Sequence, residues 1–127
     1  MAVDPNIKIL CVDDFSTMRR IIKSLLRQIG LHQVVEADGG ATALEILKNE
    51  PIELIISDWS MPKVSGLELL RAVRADDRYR LLPFLMIASE EEKDHRANAM
   101  ESGANEFLVK PFKAHALRVV IEKLIGK

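Results

Sequence analysis

The sequence predicts a doubly wound α/β fold, a five-stranded parallel sheet flanked by five helices. Three observations carry this. Five short apolar runs alternate with stretches of helical periodicity along the 127 residues. Three of the runs are nearly continuous in Ile, Leu and Val, the pattern of strands covered on both faces. No run approaches the roughly 18 apolar residues of a membrane span, so the runs belong to a globular core. Strands and helices that alternate in this way pack as helices on both sides of a parallel sheet.

The elements follow in order. IKILCV (7–12) is the first strand. Phe15, Met18, Ile22, Leu25 and Ile29 then recur at three and four residues, and Gly30 can close that helix in a left-handed cap. QVVEA (33–37) is the second strand, and Leu44 and Leu47 mark a second helix that stops before Pro51. ELIIS (53–57) is the third strand, and Leu67, Leu70 and Val73 mark the third helix. PFLMIA (83–88) is the fourth strand. The helix around EEEKDHRANAMESG (90–103), which Glu90-Glu91-Glu92 begins, has only Ala97, Met100 and further alanines for an apolar face, so it should be the most loosely held. Its run Glu90-Glu91-Glu92 suits the positive end of a helix dipole. EFLV (106–109) is the fifth strand, and Leu117, Ile121 and Leu124 mark the last helix. Val119, Ile121 and Ile125 give that helix more apolar surface than one stripe needs, for burial against the sheet or for a docking partner.

Length and composition limit the class. A chain of this length reads as one domain, 1–127, that buries enough surface to fold without disulfides or a metal staple. Hydrophobic residues at 48% and charged residues at 29% are the balance of a soluble globular protein. A net charge of -1 gives no footprint for nucleic acid or anionic lipid. The single cysteine, Cys11, cannot form an internal disulfide; it reads as a small core residue, with a reactive thiol as the alternative. The start, MAVDPNIKIL, lacks the basic and then apolar segments of a signal peptide, so a cytoplasmic protein is expected.

The charges mark the site. Ligands of an open parallel sheet bind beyond the carboxyl ends of its strands. Here the first strand ends in Asp13-Asp14, the third in Asp58, the fourth runs into Ala88-Ser89-Glu90, and the fifth ends in Lys110-Pro111. If the first and third strands are neighbours, three carboxylates meet at one rim with one lysine. Such a cluster repels itself, and a hard divalent cation such as Mg²⁺ resolves the repulsion. Lys110 could hold a phosphate oxygen, and a carboxylate beside a metal is a nucleophile toward phosphorus. Taken singly, Asp13 or Asp14 could be an N-cap, Asp58 a turn residue and Lys110 a solvated charge. The joint pattern, in the right order, is far more specific.

At these residues the chain resembles the receiver domains of two-component response regulators. It is closest to the single-domain chemotaxis regulators of the CheY type, with the flavodoxin-like strand order 2-1-3-4-5. VDDFSTMRRI (12–21), SDWSMP (57–62), GLELLRAVRAD (66–76), LPFLM (82–86) and VKPF (109–112) carry the likeness, which covers the whole chain. The resemblance implies that Asp58 is the phosphoacceptor, loaded from a phosphohistidine on a histidine kinase. It implies that Asp13, Asp14, Asp58 and the carbonyl of Ser60 organise Mg²⁺, that Lys110 binds the phosphoryl group, and that the Lys110-Pro111 bond is cis. Pro62 and Gly66 would shape the loop beyond the acceptor. Ser60 and Glu90 would occupy positions that tune dephosphorylation. The chain would catalyse only its own phosphorylation and dephosphorylation. Its output would be a protein bound on the face of helix four, strand five and helix five, with the flagellar motor switch one candidate and a phosphatase another partner. No nucleic acid or membrane enters this reading, and the protein is expected to be a monomer.

Two positions depart from that pattern. The family has Ser or Thr at the end of strand four, where ungapped counting puts Ala88; Ser89 could replace it only through a one-residue slip or a bulge. A hydrogen bond to a charged group is worth roughly 1.5–3 kcal/mol, and reversing a two-state balance from 1:99 to 99:1 takes about 5.5 kcal/mol. The switch should therefore be weakened while phosphorylation survives. Phe107 stands where these regulators have a switching Tyr, and it could also be a plain core ring. Weak coupling to the output face is the expectation, with a phosphate sink or a phosphorylation-independent interaction module as the alternative function. Trp59 should be partly exposed and report on the site, whereas His32, His95 and His115 look like surface residues. A nucleotide- or flavin-binding enzyme is disfavoured because the loop after strand one, DDFSTM, is acidic where phosphate would sit. An aspartate phosphatase would carry DxD there, which this sequence lacks.

Overall fold

The computed structural model describes residues 3–126. Its five strands are β1 (Ile9–Val12), β2 (Val34–Ala37), β3 (Leu54–Asp58), β4 (Phe84–Ala88) and β5 (Glu106–Val109). All pair in parallel, in the order β2-β1-β3-β4-β5. The helices are α1 (Ser16–Gln28), α2 (Gly40–Asn49), α3 (Gly66–Ala75), α4 (Arg96–Glu101) and α5 (Ala114–Ile125), with a 3₁₀ segment at Glu90–His95.

The central strands β1, β3 and β4 are buried at every residue, as their unbroken apolar runs require. Their side chains alternate between two cores. Leu10, Ile55, Phe84 and Met86 pack against Ala43 and Leu47 of α2, Leu69, Leu70 and Val73 of α3, and Ala99 of α4. Ile9, Cys11, Leu54, Ile56, Leu85 and Ile87 pack against Ile22 and Leu26 of α1 and Leu117 and Ile121 of α5. Each buried Leu or Ile contributes about 1.5–3 kcal/mol, so the sheet is a rigid floor for whatever stands on its rim.

The helices differ from the sequence reading in their ends and lengths. Phe15 precedes α1 in an extended conformation and is 67% exposed, so it does not share the helix's buried face. Met18, Ile22, Leu25 and Ile29 do pack against the α1/α5 core, and Leu26, which the spacing left out, is buried beside them. Gly30, at φ +88°, does close the helix, its N–H donating to the Arg27 carbonyl at 3.0 Å. In the stretch 90–103 only Arg96–Glu101 is α-helical. Its anchor is Ala99, and Ala97 faces water. The 3₁₀ segment ahead of it buries none of its residues. On α5, Ile121 is buried, Ile125 half-buried and Val119 41% exposed.

Arg74, in the last turn of α3, ties two loops together. Its Nε donates to the Gly103 carbonyl at 2.9 Å, its Nη1 to the Arg80 carbonyl at 3.1 Å and its Nη2 to Asn105 Oδ1 at 2.9 Å. The same Asn105 oxygen accepts the Phe84 N–H at 2.8 Å, which fixes the start of β4. Among the described residues no helix is long and apolar enough to cross a membrane.

Candidate functional site

Side-chain alternation aims the site. In β1 the residues Ile9 and Cys11 face the α1/α5 core, and Asp13 is next in that series. In β3 the series is Leu54, Ile56, Asp58, and in β5 it is Leu108 and then Lys110. Backbone bonds carry the ladder one residue past the strands, from Asp13 N–H to the Ala37 carbonyl (3.1 Å) and from Lys110 N–H to the Ala88 carbonyl (2.8 Å). The apolar residues thus fix the sheet, and the next residue of the same parity is the charge at its rim.

One carboxylate oxygen from each of Asp13, Asp14 and Asp58 lies within 4.8 Å of the other two. Asp13 and Asp58 are buried, and Lys110 Nζ donates to Asp58 Oδ1 at 3.1 Å. Asp13 Oδ1 accepts the Phe15 N–H at 2.9 Å, and Arg19 Nη1 holds the Asp13 carbonyl at 2.6 Å. Burial, with the Asp13 carboxylate adding to it, pushes the Asp58 carboxyl up to about 6 against the pull of Lys110. Burial also raises Asp13, opposed by the Phe15 N–H and Lys110.

Asp13 Oδ2 and Asp14 Oδ1 are buried without a hydrogen-bond partner. Unpartnered buried carboxylate oxygens are costly. Three hard oxygen donors converging with two of them unsatisfied fit a Mg²⁺ ion. Ser60 is exposed in the loop beyond β3.

That loop is shaped by Gly66. Its N–H donates to the Trp59 carbonyl at 2.9 Å, and a Cβ there would collide with the Asp58 carbonyl oxygen. Only glycine lets α3 begin so close to the acceptor strand. Ser65 then caps α3, its hydroxyl accepting the Glu68 N–H at 3.1 Å while Glu68 returns the bond to Ser65 N–H at 3.0 Å.

At the end of β4 the register is regular, Asp58 opposite Ile87 and Ala88 opposite Val109. The slip that would bring Ser89 into the site is absent. Ser89 instead caps the 3₁₀ segment, accepting from the Glu92 N–H while its own N–H donates to Glu92 Oε1 at 2.8 Å. Ala88 therefore holds the position, fully buried in one core with Phe107, Met86 and Ala99. Phe107 is 5% exposed, so its ring is an inward core ring. The Lys110-Pro111 bond is cis.

Trp59 is half-buried, and its indole stacks on the His95 imidazole with ring centroids 4.8 Å apart and planes 10° apart. His95 thus sits on the surface but is not free of the site loop. His32 and His115 are exposed. Sequence reasoning missed this stack, which no local pattern encodes, and it missed Arg19. It also missed both S-x-x-E capping boxes, at Ser65–Glu68 and Ser89–Glu92, whose spacing was a readable signal. Cys11 is buried, and burial pushes its thiol up to about 12, which makes it an unreactive core residue.

Comparison with known proteins agrees with this geometry. Residues 9–122 match the family described as the response regulator receiver domain. The chemotaxis protein CheY of Pseudomonas aeruginosa is 50% identical over 120 residues, which cover 94% of this chain and 97% of that one. A solved structure of the Vibrio cholerae chemotaxis protein CheY4 superposes with a TM-score of 0.86 at 31% identity, covering 94% of this chain and 99% of that one. The receiver domain of a Pseudomonas aeruginosa sensor histidine kinase, solved with a magnesium ion coordinated in its active-site cleft, gives 0.85 at 26% identity, covering 96% and 99%. A regular 2-1-3-4-5 sheet with its acids and lysine on one rim, matched along nearly all of its length by these relatives, places the chain in the response regulator receiver domain family, among proteins similar to CheY.

Proposed function

We propose that Asp58 accepts a phosphoryl group from the phosphohistidine of a histidine kinase, with Mg²⁺ as the cofactor, and that the loaded chain signals by binding another protein. The observation that carries this reading is the convergence of Asp13, Asp14 and Asp58 within 4.8 Å, with Lys110 at 3.1 Å from the acceptor. A carboxylate oxygen of Asp58 forms the new O–P bond as the P–N bond breaks, and the electron pair stays with the departing imidazole. Lys110 moves its charge from Asp58 to a phosphoryl oxygen. Arg19 and the Phe15 N–H keep Asp13 in place beside the acceptor. Asp13, Asp14, Asp58 and the Ser60 carbonyl would hold Mg²⁺, which when bound neutralises the carboxylates and the incoming phosphoryl charge.

The same reading makes the chain a cytoplasmic monomer that processes only its own phosphoryl group, with Ser60 and Glu90, two residues beyond Asp58 and Ala88, affecting its lifetime. Its output face is α4, β5 and α5, and its partner belongs to chemotaxis or flagellar motor control; a phosphatase is a second partner. Similarity to chemotaxis proteins supports this setting. A second reading, a module that binds its partner whether or not it is phosphorylated, is favoured by one observation. Phe107 is already buried in the same core as Ala88, and neither residue carries a hydroxyl to sense a phosphoryl group.

Incubation with acetyl phosphate and Mg²⁺, read by intact mass and Trp59 fluorescence, tests the first reading. A phosphoryl adduct is expected in the wild type and absent from Asp58→Asn. No adduct in the wild type would refute it and leave the module.

A further inference from the structure

A change at Asp58 needs a path to the surface. At the end of β4, Ala88 offers only a methyl group. At the end of β3 the neighbouring residue is Trp59, whose N–H donates to the Ile87 carbonyl at 2.7 Å. Its indole lies nearly flat on His95, with centroids 4.8 Å apart and planes 10° apart. His95 is the last residue of the 3₁₀ segment and the N-cap of α4.

That segment has no core of its own. None of its six residues is buried, and α4 behind it is six residues long with Ala99 as its only buried side chain. The segment is held at its start by the Ser89–Glu92 capping box and at its end by the stack. Trp59, the residue that follows Asp58, therefore grips the end of the segment.

We propose that the Trp59–His95 stack is the contact through which the state of Asp58 reaches the 3₁₀ segment and α4, so that a phosphoryl group alters the α4 end of the output face and leaves β5 and α5 nearly unchanged. This rests on the receiver reading. Aromatic pairs of this kind shift a local opening equilibrium by about two- to tenfold, enough to bias a segment with so little buried area.

The test is amide exchange in Mg²⁺ with and without beryllofluoride, a phosphoryl mimic whose binding is followed by fluorine NMR. In the wild type, exchange over 90–101 should change by about two- to tenfold on loading, with far smaller changes in β5 and α5. His95→Ala should bind the mimic equally well and lose that response. His95→Phe, which keeps an aromatic ring, should retain it. An undiminished response in His95→Ala, a loaded wild type with no response over 90–101, or a His95→Phe that behaves as the alanine variant would overturn the inference while leaving the receiver reading intact. Failure of the wild type to bind the mimic or to form an acetyl phosphate adduct would overturn both.

Discussion

Replacing Asp58 with Asn should stabilise the protein when no divalent cation is present. Asp58 is 5% exposed, and burial beside Asp13 raises its pKa from 3.8 to about 6. At about 1.4 kcal/mol per pKa unit, ionising this group costs on the order of 3 kcal/mol more in the folded chain than in the unfolded one. The sign follows from proton binding. Between about pH 4 and pH 6 the folded chain keeps a proton that the unfolded chain has released, so stability falls as pH rises through that window and then levels off. Asn has nearly the same shape and no charge, so it escapes the whole penalty. The partly exposed Lys110 loses its 3.1 Å partner but can turn to water, and its pull on Asp58 is already contained in the raised pKa. For a domain of this size roughly 2–3 kcal/mol corresponds to about 6–12 °C in Tm. Thermal and urea unfolding in EDTA at pH 7.5 and pH 4 would read it, with Mg²⁺ added back in a second series. The gap should be large at pH 7.5, shrink at pH 4, and narrow again in Mg²⁺, which binds the wild type better. An Asn variant no more stable than the wild type at pH 7.5, or a gap that ignores pH, would refute the argument.

Three further outcomes follow from named contacts. Gly66→Ala should cost about 1–3 kcal/mol in urea unfolding and slow adduct formation, because its Cβ meets the Asp58 carbonyl. Ala88→Thr should restore a hydroxyl at the end of β4 and extend the beryllofluoride response into β5 in amide exchange, while overpacking against Phe107 lowers stability by about 1–3 kcal/mol. Arg74→Ala should lower stability by about 2 kcal/mol by freeing the loops at Arg80 and Gly103, with adduct formation unchanged, as measured by urea unfolding beside intact mass.

The rim charges were legible because buried strands are long apolar runs, and a run that ends on Asp58 or Lys110 announces a residue held at the edge of the core. Ala88 was found by counting, since a parallel sheet without bulges preserves the count. The stripe of α1 was read one residue too far back: Phe15 fits helical spacing, yet it lies before the helix, where spacing no longer describes direction. The fourth helix was read too long because three glutamates favour any helical turn, and nothing in them distinguishes a 3₁₀ turn from an α turn. The Trp59–His95 contact was out of reach, because it depends on where that turn carries His95 relative to a strand far away in sequence.

The uncovered stretch Glu90–His95 separates the chain into two unequal parts with different chemistry. A protease that nicks there leaves all three clustered aspartates on the longer fragment and Lys110 on the shorter one. The two fragments should remain associated through the pairing of Leu85–Ala88 with Glu106–Val109 and through the apolar contacts of α5. The acid fragment and the basic fragment could then be made separately and recombined, and recovery of adduct formation on mixing would report on how the β4–β5 pair and the packing of α5 are assembled together.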